Sequence, residues 1–392
     1  MKKYLFAALA LLPLCSQAQD DLIKKIEANK TSDTGRKFKF TPMIDLETTA
    51  VKNQGSSGTC WSYSTNSFLE SEMVKKGKTP IPLSEIYSAR CVYNDKADNY
   101  VRMHGALEWG DGGACHDVVN MYRKYGAMPA SEYTGLQYGT TKNKFAEMQS
   151  MLKGMLDGAV KNPNGKLTPV WKTAFTSVMD TYLGAPPTKF TYKGKQYTPR
   201  TFADEVVGLN PDDYVEMTSF NHMPFYQQSI LMVPDNWSYD KMWNVKVDDL
   251  TDAIDNALAN GYTVAWATDV SERTFSWKNG VAFVPEKDWD DMDEAEQKAV
   301  FNGPQKERVI TQDMRQRAFD NYSTTDDHGM HIVGLARDAM GREYYKVKNS
   351  WGDKNDNKGY LYVSKPYVRY KTTAILMNRN ALPKNLRKTL GV

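Results

Sequence analysis

The run Asn53-Gln54-Gly55-Ser56-Ser57-Gly58-Thr59-Cys60-Trp61-Ser62 constrains this chain more than any other stretch. Its glycines break the backbone into a loop that carries a glutamine and then delivers a cysteine followed at once by tryptophan. Downstream, Phe68, Leu69 and Met73 recur at helical spacing, which predicts an amphipathic helix with Cys60 in its first turn. A thiol there meets unpaired backbone N–H groups and the positive end of the helix dipole. Both stabilise the thiolate, the nucleophilic form. The Gln54 side-chain amide can donate to an oxyanion alongside the backbone N–H of Cys60. A lone cysteine is otherwise most often a small buried core residue; the glutamine, the glycines and the Cys-Trp pair favour the nucleophile.

A cysteine nucleophile needs a base, and Asp327-His328-Gly329-Met330-His331-Ile332-Val333-Gly334 contains two histidines. Ile332-Val333 and the turn that follows mark a strand, on which positions three apart face opposite sides, so shared metal ligation by the pair is not expected. A hairpin turn at Asp338-Ala339-Met340-Gly341 leads into Tyr344 to Gly352, which includes Lys348-Asn349-Ser350-Trp351-Gly352. The remaining candidates are weaker. His222 stands alone and reads as structural or solvent-facing. The acidic stretch Asp288 to Glu296 lacks the ligand spacing of a calcium loop and reads as a solvated loop or helix.

The cysteine loop resembles the active-site segment of papain-like cysteine peptidases. Ser57 stands where papain and the cathepsins carry the first cysteine of that segment. A serine there resembles the bleomycin hydrolase/aminopeptidase C branch instead. Leu83-Ser84-Glu85 through Cys91 resembles the stretch after the nucleophile helix in papain-like enzymes generally, while the string from Asp111-Gly112-Gly113 to Tyr125-Gly126 and Pro129, and Thr198 to Phe202, resemble that branch. The resemblance implies roles for several residues. Aligning Gly334 places His328 on the catalytic histidine and leaves His331 as a packed strand residue. Asn349 would accept a hydrogen bond from one imidazole nitrogen and aim the other at Cys60, and Trp351 would shield that bond and border the substrate. Gly112 and Gly113 would line the cleft and bond the substrate backbone. The family's C-terminal residues lie in its cleft, where the terminal carboxylate meets the substrate's free amine; the match of Ala381 to Val392 to that tail is loose.

Composition bounds the setting. Lys2 and Lys3, the apolar run Tyr4 to Leu14 and Ser16-Gln17-Ala18 read as a secretory signal over 1–18, too short to span a bilayer. A lipoprotein reading through Cys15 is disfavoured by the bulky Leu14. Export to a periplasm or medium after cleavage near Ala18 is expected. Removing Lys2 and Lys3 from 50 basic residues leaves them nearly level with 47 acidic ones, which argues against nucleic-acid or membrane-surface partners. Cys60, Cys91 and Cys115 remain after export; Cys91 and Cys115 can pair or stay as free buried thiols. The short lead-in before Cys60 has no room for the long inhibitory propeptide of papain.

The organisation follows. Residues 19–140 form the lead-in and the left, cysteine-bearing part. Residues 141–246 form a helical insertion, marked by Phe145, Met148, Leu152 and Met155, then by Val170, Trp171, Phe175 and Tyr182, with a small hairpin around Lys193-Gly194-Lys195. In papain-like enzymes the His and Asn lie ≈ 130–150 residues beyond the cysteine; His328 lies much farther from Cys60, and the insertion accounts for most of the surplus. Residues 247–392 form the right part, opening with a helix from Val247 and a buried strand over 262–270. The expected fold is α+β and papain-like: a helical left domain, a β-rich right domain and the insertion between. The expected activity is that of a cysteine aminopeptidase acting on peptide substrates without metal or organic cofactor. An endopeptidase on the same scaffold and a silent peptide-binding homologue are the alternatives. The resemblance also implies a homohexamer.

Overall fold

The computed structural model describes residues 38–392. The signal-peptide reading of 1–18, including Cys15, lies outside the described residues. Cys60–Lys75 is a helix with Cys60 as its first residue. It differs from the amphipathic helix expected, because Ser62, Thr65, Asn66, Glu70 and Glu72 are buried together with Phe68, Leu69 and Met73. The cause is position: the helix lies between the neighbouring helices Glu85–Arg102 and Cys115–Tyr125 on one side and the sheet on the other. Much of its polar face is therefore met by protein rather than water. Ser62 Oγ donates to Glu85 O at 2.7 Å, Lys52 Nζ and the Leu83 N–H both reach Glu70 Oε1, and Asn378 Nδ2 donates to Glu72 Oε2 at 2.7 Å.

The following helix begins as expected at Ser84, whose Oγ accepts the Tyr87 N–H at 3.1 Å. The three helices share a core that includes Trp61, Phe68, Tyr93 and Trp109. Ala146–Val160 and Val170–Leu183, the first two helices of the insertion, add Phe145, Leu152 and Phe175 to that same core. The hairpin Phe190–Tyr192/Lys195–Tyr197 turns at Lys193 and Gly194, with φ of 48° and 79°. Pro199–Phe202 then opens a short helix capped by Thr198. From Tyr214 onward the insertion is no longer helical. Tyr214–Thr218, Gln227–Ile230 and Lys241–Asn244 are strands that extend the main sheet. These runs are short and rich in polar residues, so neither helical nor strand periodicity announces them.

Among the described residues the main sheet has 11 strands. The long strand His328–Asp338 is its organiser: its first half pairs with Val264–Thr268, its second half with Phe40–Asp45, and its other edge with Glu343–Lys348, all antiparallel. The sheet packs on Val247–Ala259 and on Lys365–Lys371 around Leu250, Ile254, Trp266, Ile332, Tyr345 and Tyr367. Helical and sheet cores thus meet along the Cys60 helix and the His328 strand. Gly329 sets how closely: a Cβ there would lie 2.8 Å from Ser64 Oγ and 3.0 Å from Trp61 Cα.

Candidate active site

The loop before Cys60 is held from two directions. Asp111 accepts the Gly58 N–H on Oδ2 at 2.5 Å, while its backbone carbonyl accepts from Trp61 Nε1 at 3.0 Å and Tyr93 Oη at 3.1 Å. Gln54 is fully buried; its Nε2 donates to Ser57 O at 2.7 Å and its Oε1 accepts from Ser350 Oγ at 2.6 Å. The Gln54 backbone N–H also donates to Ser350 O at 2.8 Å, and Asn53 bridges to Trp351. Gln54 is therefore a tie between the cysteine loop and the Asn349-Ser350-Trp351 segment. One N–H of its amide is left over from the bond to Ser57.

His328 opens its strand and is 3% exposed. Its Nε2 and Asn349 Oδ1 are 2.7 Å apart, and the Ser350 backbone N–H donates to the same Oδ1 at 2.8 Å. A backbone N–H is always a donor, so the Asn349 atom between them is the carbonyl oxygen. Nε2 must then carry the ring proton, which leaves Nδ1 with its lone pair. Nδ1 is buried and has no hydrogen-bond partner among the described residues. Burial pushes the imidazole pKa down to about 4, opposed by the bond to Asn349. Trp351 lies against the ring, 4.6 Å between centroids, and covers the His–Asn pair.

Cys60 and His328 line one cleft, together with Gly113, Ala114 and Gly329. A side chain at 113 would strike both the Trp61 indole and Asp117 Oδ2 at 2.9 Å. Lys96, buried, donates to Gly110 O at 3.3 Å and Gly112 O at 3.1 Å and so braces the glycine turn. Gly112 is not among the cleft-lining residues; its open side is occupied by Asp235. The same cleft is also lined by groups that carry no local motif: Glu216, Asp235 and Asp326. Glu216 is paired with His116 at 2.5 Å. Burial opposes charge on that imidazole, yet Glu216, Asp117 and Asp240 raise it to about 10.

The other candidates sit elsewhere. His331 is fully buried, bonded through Nδ1 to Ser67 Oγ at 3.0 Å and edge-on to Phe68. His222 is exposed, stacks on Phe319 and bonds Gln316. Cys91 and Cys115 are free buried thiols, and burial pushes the Cys91 thiol up to about 12. Helix Lys384–Leu390 packs Leu386 and Leu390 into the sheet core. Val392 lines a neighbouring cavity of about 370 Å³ with Arg123, Arg379 and Glu216, and is not among the residues lining the Cys60 cleft. Among the described residues no group of three or more His, Cys, Asp or Glu is arranged to hold a metal, and no helix is long and apolar enough to cross a membrane.

A helical lobe set against a mixed sheet, with a cysteine at a helix start and a histidine at a strand start between them, defines a papain-like α+β cysteine peptidase. The chain belongs to the Peptidase C1-like family, whose model matches residues 86–391. Its curated relatives include aminopeptidase W of Lactobacillus delbrueckii subsp. lactis, 24% identical over 91% of this chain and 87% of that protein. Aminopeptidase E of Lactobacillus helveticus is 26% identical, covering 86% and 83%, and aminopeptidase C of Streptococcus thermophilus is 24% identical, covering 92% and 86%. The crystal structure of PepW from Lactobacillus rhamnosis HN001 superposes with a TM-score of 0.72 at 21% identity, over 97% of this chain and 92% of that one, and shares the fold.

Proposed function

We propose that this cysteine peptidase is an aminopeptidase in which Cys60 is the nucleophile, His328 the proton carrier and Asn349 its orienting partner. The observation that carries the chemistry is the convergence of the Ser350 N–H and His328 Nε2 on Asn349 Oδ1, which leaves the Nδ1 lone pair on the cleft-lining ring. The names of the relatives support the exopeptidase part.

In acylation the Cys60 proton passes to His328 Nδ1 as Sγ bonds the scissile carbonyl carbon. Burial disfavours an isolated imidazolium at His328, so the charged pair is stabilised chiefly by the thiolate itself. The resulting oxyanion takes hydrogen bonds from the Cys60 N–H, at the positive end of its helix, and from the remaining N–H of Gln54. Collapse breaks the C–N bond, and the Nδ1 proton goes to the leaving amine. Water then gives a proton to Nδ1 as it adds to the thioester carbon. Breaking the C–S bond releases the acid and restores the thiolate–imidazolium pair, ready for the next turnover.

The test uses the purified chain in reducing buffer with a fluorogenic aminoacyl amide, its N-acetylated peptide counterpart and Cys60→Ala. Hydrolysis of the free-amine substrate, lost in the variant, is the expected result. Cleavage confined to the blocked peptide would make it an endopeptidase. Full activity in Cys60→Ala would remove Cys60 from the mechanism.

A further inference from the structure

The cleft that contains Cys60 and His328 is also lined by the acids Asp235, Asp326 and Glu216. Asp235 comes from the loop after Gln227–Ile230, and Asp326 from the segment just ahead of His328. The Asp235 loop is rigidly held on both sides. Asn236 closes it by donating to Leu231 O at 3.1 Å and accepting the Asp240 N–H at 3.0 Å, and Trp237 Nε1 donates to Asp117 Oδ2 at 2.8 Å. Its carboxylate rests on the Gly112-Gly113 turn so closely that a Cβ at 112 would lie 2.0 Å from Asp235 Oδ1. Glycine at 112 thus makes room for an acid rather than only for a substrate backbone.

The cations nearby are already committed. Lys96 bonds the carbonyls of Gly110 and Gly112, and His116 pairs with Glu216. Among the described residues neither Asp235 nor Asp326 has an ion pair; Asp326 accepts only from Thr373 Oγ1, at 3.3 Å. Burial, and then the negative charge of Asp326, push the Asp235 carboxyl up; burial and Glu216 push Asp326 up, to about 6. A ligand cation relieves both penalties at once. Beside these acids the cleft is also lined by Leu231, Val233, Met242 and Ala267. On the reacting side, His328 Nδ1 is buried, has no hydrogen-bond partner among the described residues and sits on a ring that lines the same cleft.

We infer that Asp235 and Asp326 form the subsite that binds a substrate ammonium one step from the scissile bond. This rests on the aminopeptidase reading, in which that ammonium is the free N-terminus; a lysine side chain offers the same chemistry. Two carboxylates inside the cleft make the positive charge the recognition element and leave a blocked N-terminus without a partner, at the cost of a desolvated polar wall.

The experiment compares the full chain with Asp235→Asn, Asp326→Asn and a chain ended after Leu390. Substrates are a leucyl amide with a free amine, its N-acetyl form and an N-acetyl-lysyl amide. Thermal melts establish that each variant folds, and kcat and KM are read separately. The expected result is a fall of roughly 30-fold or more in kcat/KM for the free leucyl amide in each Asn variant, chiefly through KM, with the N-acetyl form unaffected by comparison. The shortened chain should keep the free-amine preference. A loss confined to the lysyl substrate also supports the subsite and assigns it to the side chain. Folded Asn variants that keep wild-type kcat/KM on both cationic substrates overturn the inference, as does a shortened chain that alone loses the preference. Failure of the aminopeptidase reading looks different: the wild-type chain itself would prefer the N-acetyl leucyl form.

Discussion

Asn349 sets both the tautomer and the basicity of His328. Its oxygen holds the Nε2 proton and opposes the burial that pushes the ring down to about 4. A histidine whose pKa lies below its ordinary value is neutral, and able to accept a proton, above that pKa. Activity that depends on it is present at neutral pH and lost as pH falls through about 4. Asn349→Ala removes the orienting bond, so kcat should fall on the order of 10²-fold or more. The same variant takes away the one contact that raises the pKa, so the acid limb of the kcat profile should move to still lower pH. An unmoved limb would separate the limb from His328. These contacts were legible in sequence because each rests on residues adjacent in the chain: Gly-Thr-Cys-Trp places the thiol at a helix start, and Lys-Asn-Ser-Trp-Gly supplies the amide, the second donor and the indole cover. Gln54 was legible as a donor but not as the tie to Ser350, because that contact joins segments far apart in the chain.

The Cys60 helix and the His328 strand meet without side-chain padding at Gly329, and this contact decides whether thiol and imidazole share a cleft. Gly329→Val would drive two methyl groups toward Ser64 Oγ and the Trp61 backbone. The helix and strand must then separate, at a cost of about 1–3 kcal/mol in stability, and kcat should fall further than KM rises. Chemical denaturation and steady-state kinetics on the same preparation measure the two effects; a variant with lost stability and intact kcat would show that the spacing has slack. Sequence periodicity found the helix but misjudged its surroundings. Phe68, Leu69 and Met73 suggested one buried face, whereas Glu70 and Glu72 are buried as well, because sheet and helices enclose the element. The polar strands from Tyr214 to Asn244 escaped notice for the converse reason: they are short additions to a sheet whose hydrogen bonds come from distant segments.

Across the whole molecule, helical and sheet cores are joined by buried polar contacts, and Glu72 with Asn378 is one of them. Burial raises the Glu72 carboxyl to about 7, with Asn378 opposing. Because this value lies above its ordinary 4.5, the folded state holds the proton more tightly than the unfolded chain. The resulting stability is fully present below about 4.5 and is lost as pH rises through about 7. Glu72→Gln should flatten that slope, as read by urea unfolding below and above the window; an unchanged slope would assign it to other carboxyls. The sequence by itself determined the class of fold and the order of the candidate catalytic groups, because the cysteine loop, the His328 strand and the Asn349 segment each carry a local pattern. The acidic lining of the cleft, the brace from Lys96 and the separate cavity lined by Val392 were decided only by the tertiary structure. Asp235, Asp326 and Glu216 have no spacing in common: Asp235 and Glu216 arrive with the end of the insertion and Asp326 with the segment ahead of His328, and only tertiary packing brings them to one cleft.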